Sequence, residues 1–216
     1  MSRSQAGPAG DALRHSIELA ARLRPMIRNE RTLEAIAAIP REWFVPTRQR
    51  FRAYENVALP IACGQTISQP LVVARMLDLL DVRPGDRVLD VGTGSGYHAA
   101  LLAALGGQVS TIERHPKLTE IARRTLSEHG FGNVTCIAGD GCLGLPEAAP
   151  FDAINVAAAG VLLPEALEDQ LAPGGRLVAP VGGDYQYLTL VTRTPGALTR
   201  VTLDPVRFVP LVHDAG

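Results

Sequence analysis

Cysteine is scarce in this 216-residue sequence: Cys63, Cys136 and Cys142 form an odd set without a CxxC pair. That argues against a disulfide framework and against a structural zinc site built on cysteine pairs. Free thiols, buried or half-buried, are the expectation. Aromatic residues make up only 5% of the chain, too few for a platform on which the bases of a single strand would stack. Charge of one sign is lacking as well, with 21 Lys and Arg against 22 Asp and Glu, a net of -1. A general binder of nucleic-acid backbones gains its affinity from many basic contacts, so that class is set aside. No apolar run approaches the ~18 residues of a membrane span. The opening stretch MSRSQAGPAGDALRHSIELA lacks the apolar core and small-residue cleavage site of a signal peptide. The expected setting is the cytoplasm, with neither nucleic acid nor membrane as a partner.

What is present suits one domain with an appendage, long enough to bury a core without staples. The hydrophobic content of 46% is mostly Ala, Val and Leu, which fits helices packed on a central sheet. Residues 1–10, rich in Gly, Ser and Ala, read as a disordered tail. A helix is expected from Asp11 to about Leu23, with Leu13, Ile17, Ala20 and Ala21 on its apolar face. A second follows in RTLEAIAAI, with Leu33, Ile36 and Ala37 at helical spacing. An irregular stretch from Arg52 to Gln69 precedes a third helix, PLVVARMLDLL, whose Pro70 stands at a favoured first-turn position. From Arg87 onward strands alternate with helices: RVLDV, YHAALLAAL, QVSTIE, PKLTEIARRTLSEHG, NVTCIAGD, FDAINVA, PEALEDQL and GRLVAPVG. That rhythm predicts an α/β fold, a doubly wound, mainly parallel sheet. YQYLTLVTR and LTRVTLDPVRFV flank the turn TPGA and read as a closing antiparallel hairpin.

The first strand of the α/β region runs into VLDVGTGSGYHAA, where Gly92, Gly94 and Gly96 lie between strand and helix. Bare backbone there lets a ligand approach converging amides at the helix start. Two cofactors compete for such a loop. From Gly94 the letters match the dinucleotide fingerprint GxGxxA. From Asp90 they match Asp-apolar-Gly-x-Gly-x-Gly, the first motif of S-adenosylmethionine-dependent methyltransferases. A carboxylate at Asp90 suits the ammonium and sulfonium of S-adenosylmethionine and would repel a pyrophosphate. The dinucleotide register would also force the strand to continue through Gly92 and Thr93. Glu113 ends the next strand, 21 positions past Gly92, where an acid can accept from ribose hydroxyls in either case. Gly139-Asp140-Gly141 ends the third strand and is either a carboxylate against an adenine amino group or an ordinary turn.

The other unusual stretch is LPIACGQTISQP, where Gln65, Thr66, Ser68 and Gln69 cluster before the Pro70 helix. Ser68 or Gln69 is placed to cap that helix; the cluster is equally placed to form a polar wall that binds a carboxylate. GTGSG does not put its serine at the centre of a nucleophile elbow, so no hydrolase triad is read. The five histidines (15, 98, 115, 129 and 213) are scattered, surface positions are expected for His98, His115 and His129, and no spacing suggests a metal site.

With these residues in hand, the chain resembles the protein-L-isoaspartate O-methyltransferases from about Arg24 to Leu211. PIACGQTISQP looks like that family's signature loop. PREWFVP, AYEN, VLDVGTGSGYHAALLA, TIER, GDGCLGLPEAAPFDAI, PEALEDQLAPGGRLVAPVG and RFVPL match further blocks. The resemblance implies a Rossmann-like seven-stranded methyltransferase sheet over 81–216, with residues 11–80 as a cap carrying the substrate loop. It implies methyl transfer from S-adenosyl-L-methionine, leaving S-adenosyl-L-homocysteine, to the α-carboxylate of L-isoaspartyl residues in damaged proteins and peptides. The ester then collapses to a succinimide that can reopen to aspartate. Carried over, Ser68 is the active-site serine, and Gln65, Thr66, Val209 and Pro210 join it on the substrate side. Thr66, Ile67, Asp90, Gly92, Thr93, Gly94, Ser95, Gly96, Glu113, Arg114, Asp140 and Gly141 would hold the cofactor, without a metal, in a monomer. Four positions depart from the family pattern near the expected substrate side: Asn56, Ala62, Cys63 and Ala157. A related methyltransferase acting on another carboxylate is therefore the main alternative. A nicotinamide-dependent oxidoreductase and a cofactor binder that has lost catalysis are the others.

Overall fold

The computed structural model describes residues 8–213. Most of the expected tail lies outside the described residues, but Pro8–Gly10 already form the start of helix α1 (Pro8–Leu23). The buried stripe of α1 is Ala12, Ser16, Leu19, Ala20 and Leu23. Leu13 and Ile17, expected inside, are 43% and 53% exposed. The helix carries two apolar stripes, and the one with Leu19 and Leu23 wins because it meets α2 (Glu30–Ala38). Two-residue strands β1 (Leu59–Pro60) and β2 (Thr66–Ile67) pair antiparallel and brace the polar loop between them. Helix α3 (Pro70–Leu80) begins at Pro70 as expected.

The alternating region supplies β3 (Arg87–Val91), α4 (Tyr97–Ala104), β4 (Gln108–Glu113), α5 (Pro116–Glu128), β5 (Val134–Ala138) and β6 (Phe151–Val156). Next come α6 (Glu165–Asp169), β7 (Leu171–Val181), β8 (Gln186–Thr194) and β9 (Ala197–Val206). The seven-stranded sheet has the order β5-β4-β3-β6-β7-β8-β9, parallel through β7 and antiparallel for β8 and β9. Successive strand residues face opposite sides, which sorts the core in two. Val88, Val109, Ala153 and Val178 pack under the N-terminal helices, α4 and α5. Leu89, Val91, Ile154, Val156 and Leu177 pack on the other face with Leu145 and Leu167.

The N-terminal helices share their core with the sheet. Arg31 donates to the carbonyls of Val82 and Leu105, tying α2 to the two ends of the first α/β unit. Trp43, the one tryptophan, stacks on His129 at the end of α5 with centroids 3.8 Å apart. Among the described residues no helix is long and apolar enough to cross a membrane.

Candidate active site

Strand order reverses at β3, which has β4 on one side and β6 on the other. Such a reversal opens a crevice at the carboxyl ends of the strands. A cleft lies there, enclosing about 930 Å³ of space partly open to solvent. Its floor is the loop after β3. Gly92, Gly94 and Gly96 have φ of 90°, 52° and 88°, the left-handed region that glycine adopts without strain. The Gly92 amide donates to Ile112 O at 2.8 Å, and Gly96 N to Thr93 O at 2.8 Å. A Cβ on Gly96 would sit 3.3 Å from Leu126 Cδ1, so this glycine lets the loop pack against α5. Gly92, Thr93, Gly94 and Ser95 line the cleft; Gly96 lies beneath it.

Asp90 does not reach the cleft. It is fully buried behind the loop, where register places it between Thr111 of β4 and Asn155 of β6. Thr111 Oγ1 donates to Asp90 Oδ2 at 2.8 Å, and Asn155 Nδ2 to Oδ1 at 2.7 Å. Thr111 in turn meets Thr93 Oγ1 at 2.6 Å, so the carboxylate props the loop from behind. The sequence places this carboxylate near the cofactor's ammonium and sulfonium; in the fold it stands behind the loop, with its oxygens on Thr111 and Asn155. Burial raises the Asp90 pKa to about 6, against the lowering effect of the Asn155 and Thr111 hydrogen bonds. A carboxyl whose folded pKa stands above its unfolded one adds stability below about pH 4 and loses it as pH rises through 6. Asp90→Asn keeps the network if the Thr111 and Thr93 hydroxyls reverse. It is therefore expected to gain on the order of 2–3 kcal/mol over the wild type between pH 4 and pH 7.5. Urea midpoints across that range measure the difference, and a difference independent of pH would refute the assignment.

Glu113 lines the cleft at the end of β4, only 6% exposed. Its Oε2 accepts from Gly94 N and its Oε1 from His115 N, both at 3.0 Å. Arg114 and Gly141 line the same cleft. Asp140, expected to hold the cofactor, does not line this cleft. Its Oδ1 accepts from Cys142 N at 2.8 Å, and its Oδ2 lies 2.6 Å from His213 Nδ1. Asp140, Cys142 and His213 place one ligand-capable atom each within 4.8 Å of one another, a grouping no sequence spacing suggested. The terminal segment reaches the site by hydrogen bonds from Ala159 N to Val209 O and from Leu211 N to Ala159 O. Val209 and Pro210 thereby join the wall.

Gln65, Thr66, Ile67 and Ser68 form the opposite wall. The Ser68 backbone is fixed by Arg41, whose Nη2 donates to Ser68 O at 3.0 Å and Val57 O at 3.2 Å, while Nη1 donates to Ala53 O. Neither Ser68 nor Gln69 caps α3 through its side chain. Asn56 does so from a distance, accepting from Leu71 N at 3.0 Å. An amide oxygen here makes the acceptor that a carboxylate would make, so this departure preserves the cap. Ala157 lines the cleft over Gly92. Ala62 and Cys63, expected near the substrate side, line neither this cleft nor the groove that runs past Gln69: Ala62 faces a groove beside Trp43 and Phe44, and Cys63 is exposed at φ 55°. Cys136 and Cys142 are half-buried as expected.

Beyond Ser68 a second groove runs past Gln69 and Val72 to Pro205–Val209. Thr66, Ser68, Ala157 and Val209 border both spaces, so Thr66 and Ser68 belong to the partition between them. Sequence reasoning missed several residues here. Tyr97, His98 and His115 line the cleft, and His98 is 7% exposed rather than on the surface. The signal was in YHAALLAA, a stretch apolar on every side, which marks α4 as a fully buried helix.

A model of the Protein-L-isoaspartate(D-aspartate) O-methyltransferase family matches residues 16–216. The chain is 53% identical over 191 residues to the protein-L-isoaspartate O-methyltransferase of Koribacter versatilis, covering 88% of this chain and 86% of that one. It is 51% identical over 197 residues to the enzyme of that name from Aeropyrum pernix, covering 88% and 76%. One solved protein-L-isoaspartate O-methyltransferase superposes with a TM-score of 0.84 at 29% identity, covering 92% of this chain, which spans 66% of that longer one. The crystal structure of a β-aspartate methyltransferase from Plasmodium falciparum in complex with S-adenosyl-L-homocysteine gives 0.82 at 27% identity, covering 91% and 98%.

Proposed function

The chain belongs to the protein-L-isoaspartate O-methyltransferase family, and from that premise we infer that it methylates the α-carboxylate of L-isoaspartyl residues in damaged proteins. S-adenosyl-L-methionine is the donor. When bound, it supplies a methyl group made electrophilic by a sulfonium. The cleft fits it: Gly92 and Gly94 bare the floor, Glu113 offers acceptors at the ribose position, and Gly141 lines the same cleft for the adenine.

The observation that carries the reading is the partition formed by Thr66 and Ser68. A donor in the cleft and a polypeptide in the groove would meet across these hydroxyls. In this proposal Ser68 and Thr66 donate to the substrate carboxylate and aim one of its oxygens at the methyl carbon, with Gln65, Val209 and Pro210 holding the polypeptide beside them. The new C–O bond forms as the C–S bond breaks, and the electron pair stays on sulfur. An α-carboxylate, with an intrinsic pKa of about 3.5, is ionised already and needs no base. Alignment and loss of water supply the rate. The site agrees with this: Asp90 lies behind the floor, and burial lowers the His98 pKa to about 4. The proposal extends to a monomer acting in the cytoplasm, and the net charge of -1 supports local recognition of single residues over a charged docking face.

Labelled methyl from S-adenosyl-L-methionine is expected to pass to an isoaspartyl peptide and scarcely to its aspartyl counterpart. Equal labelling of the two peptides, or labelling of neither, would overturn the substrate.

A further inference from the structure

Outside the cleft, three metal-binding side chains converge from two distant parts of the chain. Asp140 and Cys142 follow β5, whereas His213 lies beyond β9 in the terminal segment. A carboxylate oxygen of Asp140, the sulfur of Cys142 and a ring nitrogen of His213 all lie within 4.8 Å of one another. Local structure places the first two. Asp140 caps the short turn Gly141–Leu143, with Oδ1 accepting from Cys142 N at 2.8 Å, and its Oδ2 meets His213 Nδ1 at 2.6 Å. The fold delivers the third: Ala159 N donates to Val209 O and Leu211 N to Ala159 O, which holds the terminal segment across the sheet edge. None of the three residues lines the cleft, but Gly141 and Val212, their chain neighbours, do.

The donor set has a definite chemistry. Sulfur, imidazole nitrogen and carboxylate oxygen together suit zinc, whereas magnesium and calcium take oxygen donors. Tetrahedral bonds of about 2.0–2.3 Å put ligand atoms roughly 3.3–3.8 Å apart, within the observed spread. Only the Asp140–His213 pair has to open, and its imidazole, with a side chain 58% exposed against 9% for Asp140, is the partner free to yield. The Cys142 amide stays on Oδ1 and orients the carboxylate from outside the coordination shell.

We propose that Asp140, Cys142 and His213 form a zinc site that clasps the terminal segment to the loop after β5. Three protein ligands and one water complete the tetrahedron. The ion joins the Gly141 edge of the cleft to its Val212 edge and takes no part in the methyl transfer, so this inference does not rest on the proposed function.

Cobalt(II), a spectroscopic stand-in for zinc, tests the site in the chain without an affinity tag. Titration is expected to produce the visible bands of a tetrahedral ion and a near-ultraviolet thiolate-to-cobalt charge-transfer band, and equimolar zinc should bleach both. Cys142→Ser should abolish the charge-transfer band, while Cys63→Ser and Cys136→Ser leave it unchanged. His213→Ala, a change at an exposed position, should weaken zinc more than tenfold by calorimetry. A thiolate band that is absent, that survives Cys142→Ser or that depends on Cys63 or Cys136 would overturn the proposal and leave an ion pair alone. Equal zinc affinity in His213→Ala would overturn it as well. S-adenosyl-L-homocysteine binding by the metal-free protein is measured separately, and its failure would count against the functional reading and not against the metal site.

Discussion

Replacing Arg41 by methionine is expected to destabilise the protein by about 3 kcal/mol or more and to cut methyl transfer at temperatures where the variant is still folded. Arg41 is 0% exposed, and its three recorded partners are backbone carbonyls, of Ala53, Val57 and Ser68. One planar fork thus closes a loop of chain that leaves the cap at Ala53 and returns at Ser68. Burial lowers its pKa only to about 10, so the guanidinium is charged at neutral pH. Methionine fills much of the volume but leaves those carbonyls without their donors, each at roughly 1–3 kcal/mol where water cannot enter. For a domain of this size the loss corresponds to about 6–12 °C in Tm.

The functional part of the effect follows from geometry. Arg41 holds the carbonyl of Ser68, the residue proposed to aim the substrate carboxylate. A loosened Ser68 loses alignment, for which a misplacement of about 1 Å can cost a hundredfold. kcat with an isoaspartyl peptide should therefore fall at least tenfold, while affinity for S-adenosyl-L-homocysteine changes far less. Arg41→Lys keeps the charge but not the fork, and should fall between the two. A thermal midpoint and turnover equal to the wild type in Arg41→Met would show that the three contacts carry no weight.

Much of this was legible in the chain, and the parts that were not share a cause. Strands such as RVLDV and helices such as PKLTEIARRTLSE declare themselves through local period and punctuation, and the glycine loop through its place between them. Asp90 stands out in the sequence, but its place behind the loop does not. Its letter sits in the motif, while its function depends on facing Thr111 and Asn155, which only the order of three strands reveals. Arg41 lies in PREWFVP, a block that looked merely characteristic, and its purpose appears when Ala53 and Ser68 come together. The reversed face of α1 has the same origin: two stripes were apolar, and the partner helix chose between them. A lone histidine points to the surface, yet His98 is buried. The apolar run around it was the better guide, since a helix buried on all sides carries its polar residue inward.

Glu113→Gln, a change of one atom, is expected to weaken S-adenosyl-L-homocysteine by about ten- to hundredfold. The carboxylate accepts two backbone N–H groups on separate oxygens, Gly94 on Oε2 and His115 on Oε1. An amide has a single oxygen, so whichever way it turns, one of those N–H donors faces another donor. The glycine loop on one side and the start of α5 on the other cannot both stay where they are. The remaining lone pairs of Glu113 are those proposed to accept from the ribose, so the variant strikes the floor and the ligand together. The two contributions separate with an S-adenosyl-L-homocysteine analogue lacking the ribose hydroxyls, in a cycle of two proteins and two ligands. If the ribose contact exists, Glu113→Gln penalises the full ligand more than the analogue. If Glu113 serves only the loop, the penalties are equal. Glu113→Ala provides the remaining comparison: it frees both N–H groups to an open cleft that water can enter. It should therefore disturb the loop less than glutamine does, although it removes more of the side chain. A glutamine variant that binds as tightly as the wild type would show that neither the loop nor the ribose depends on this carboxylate.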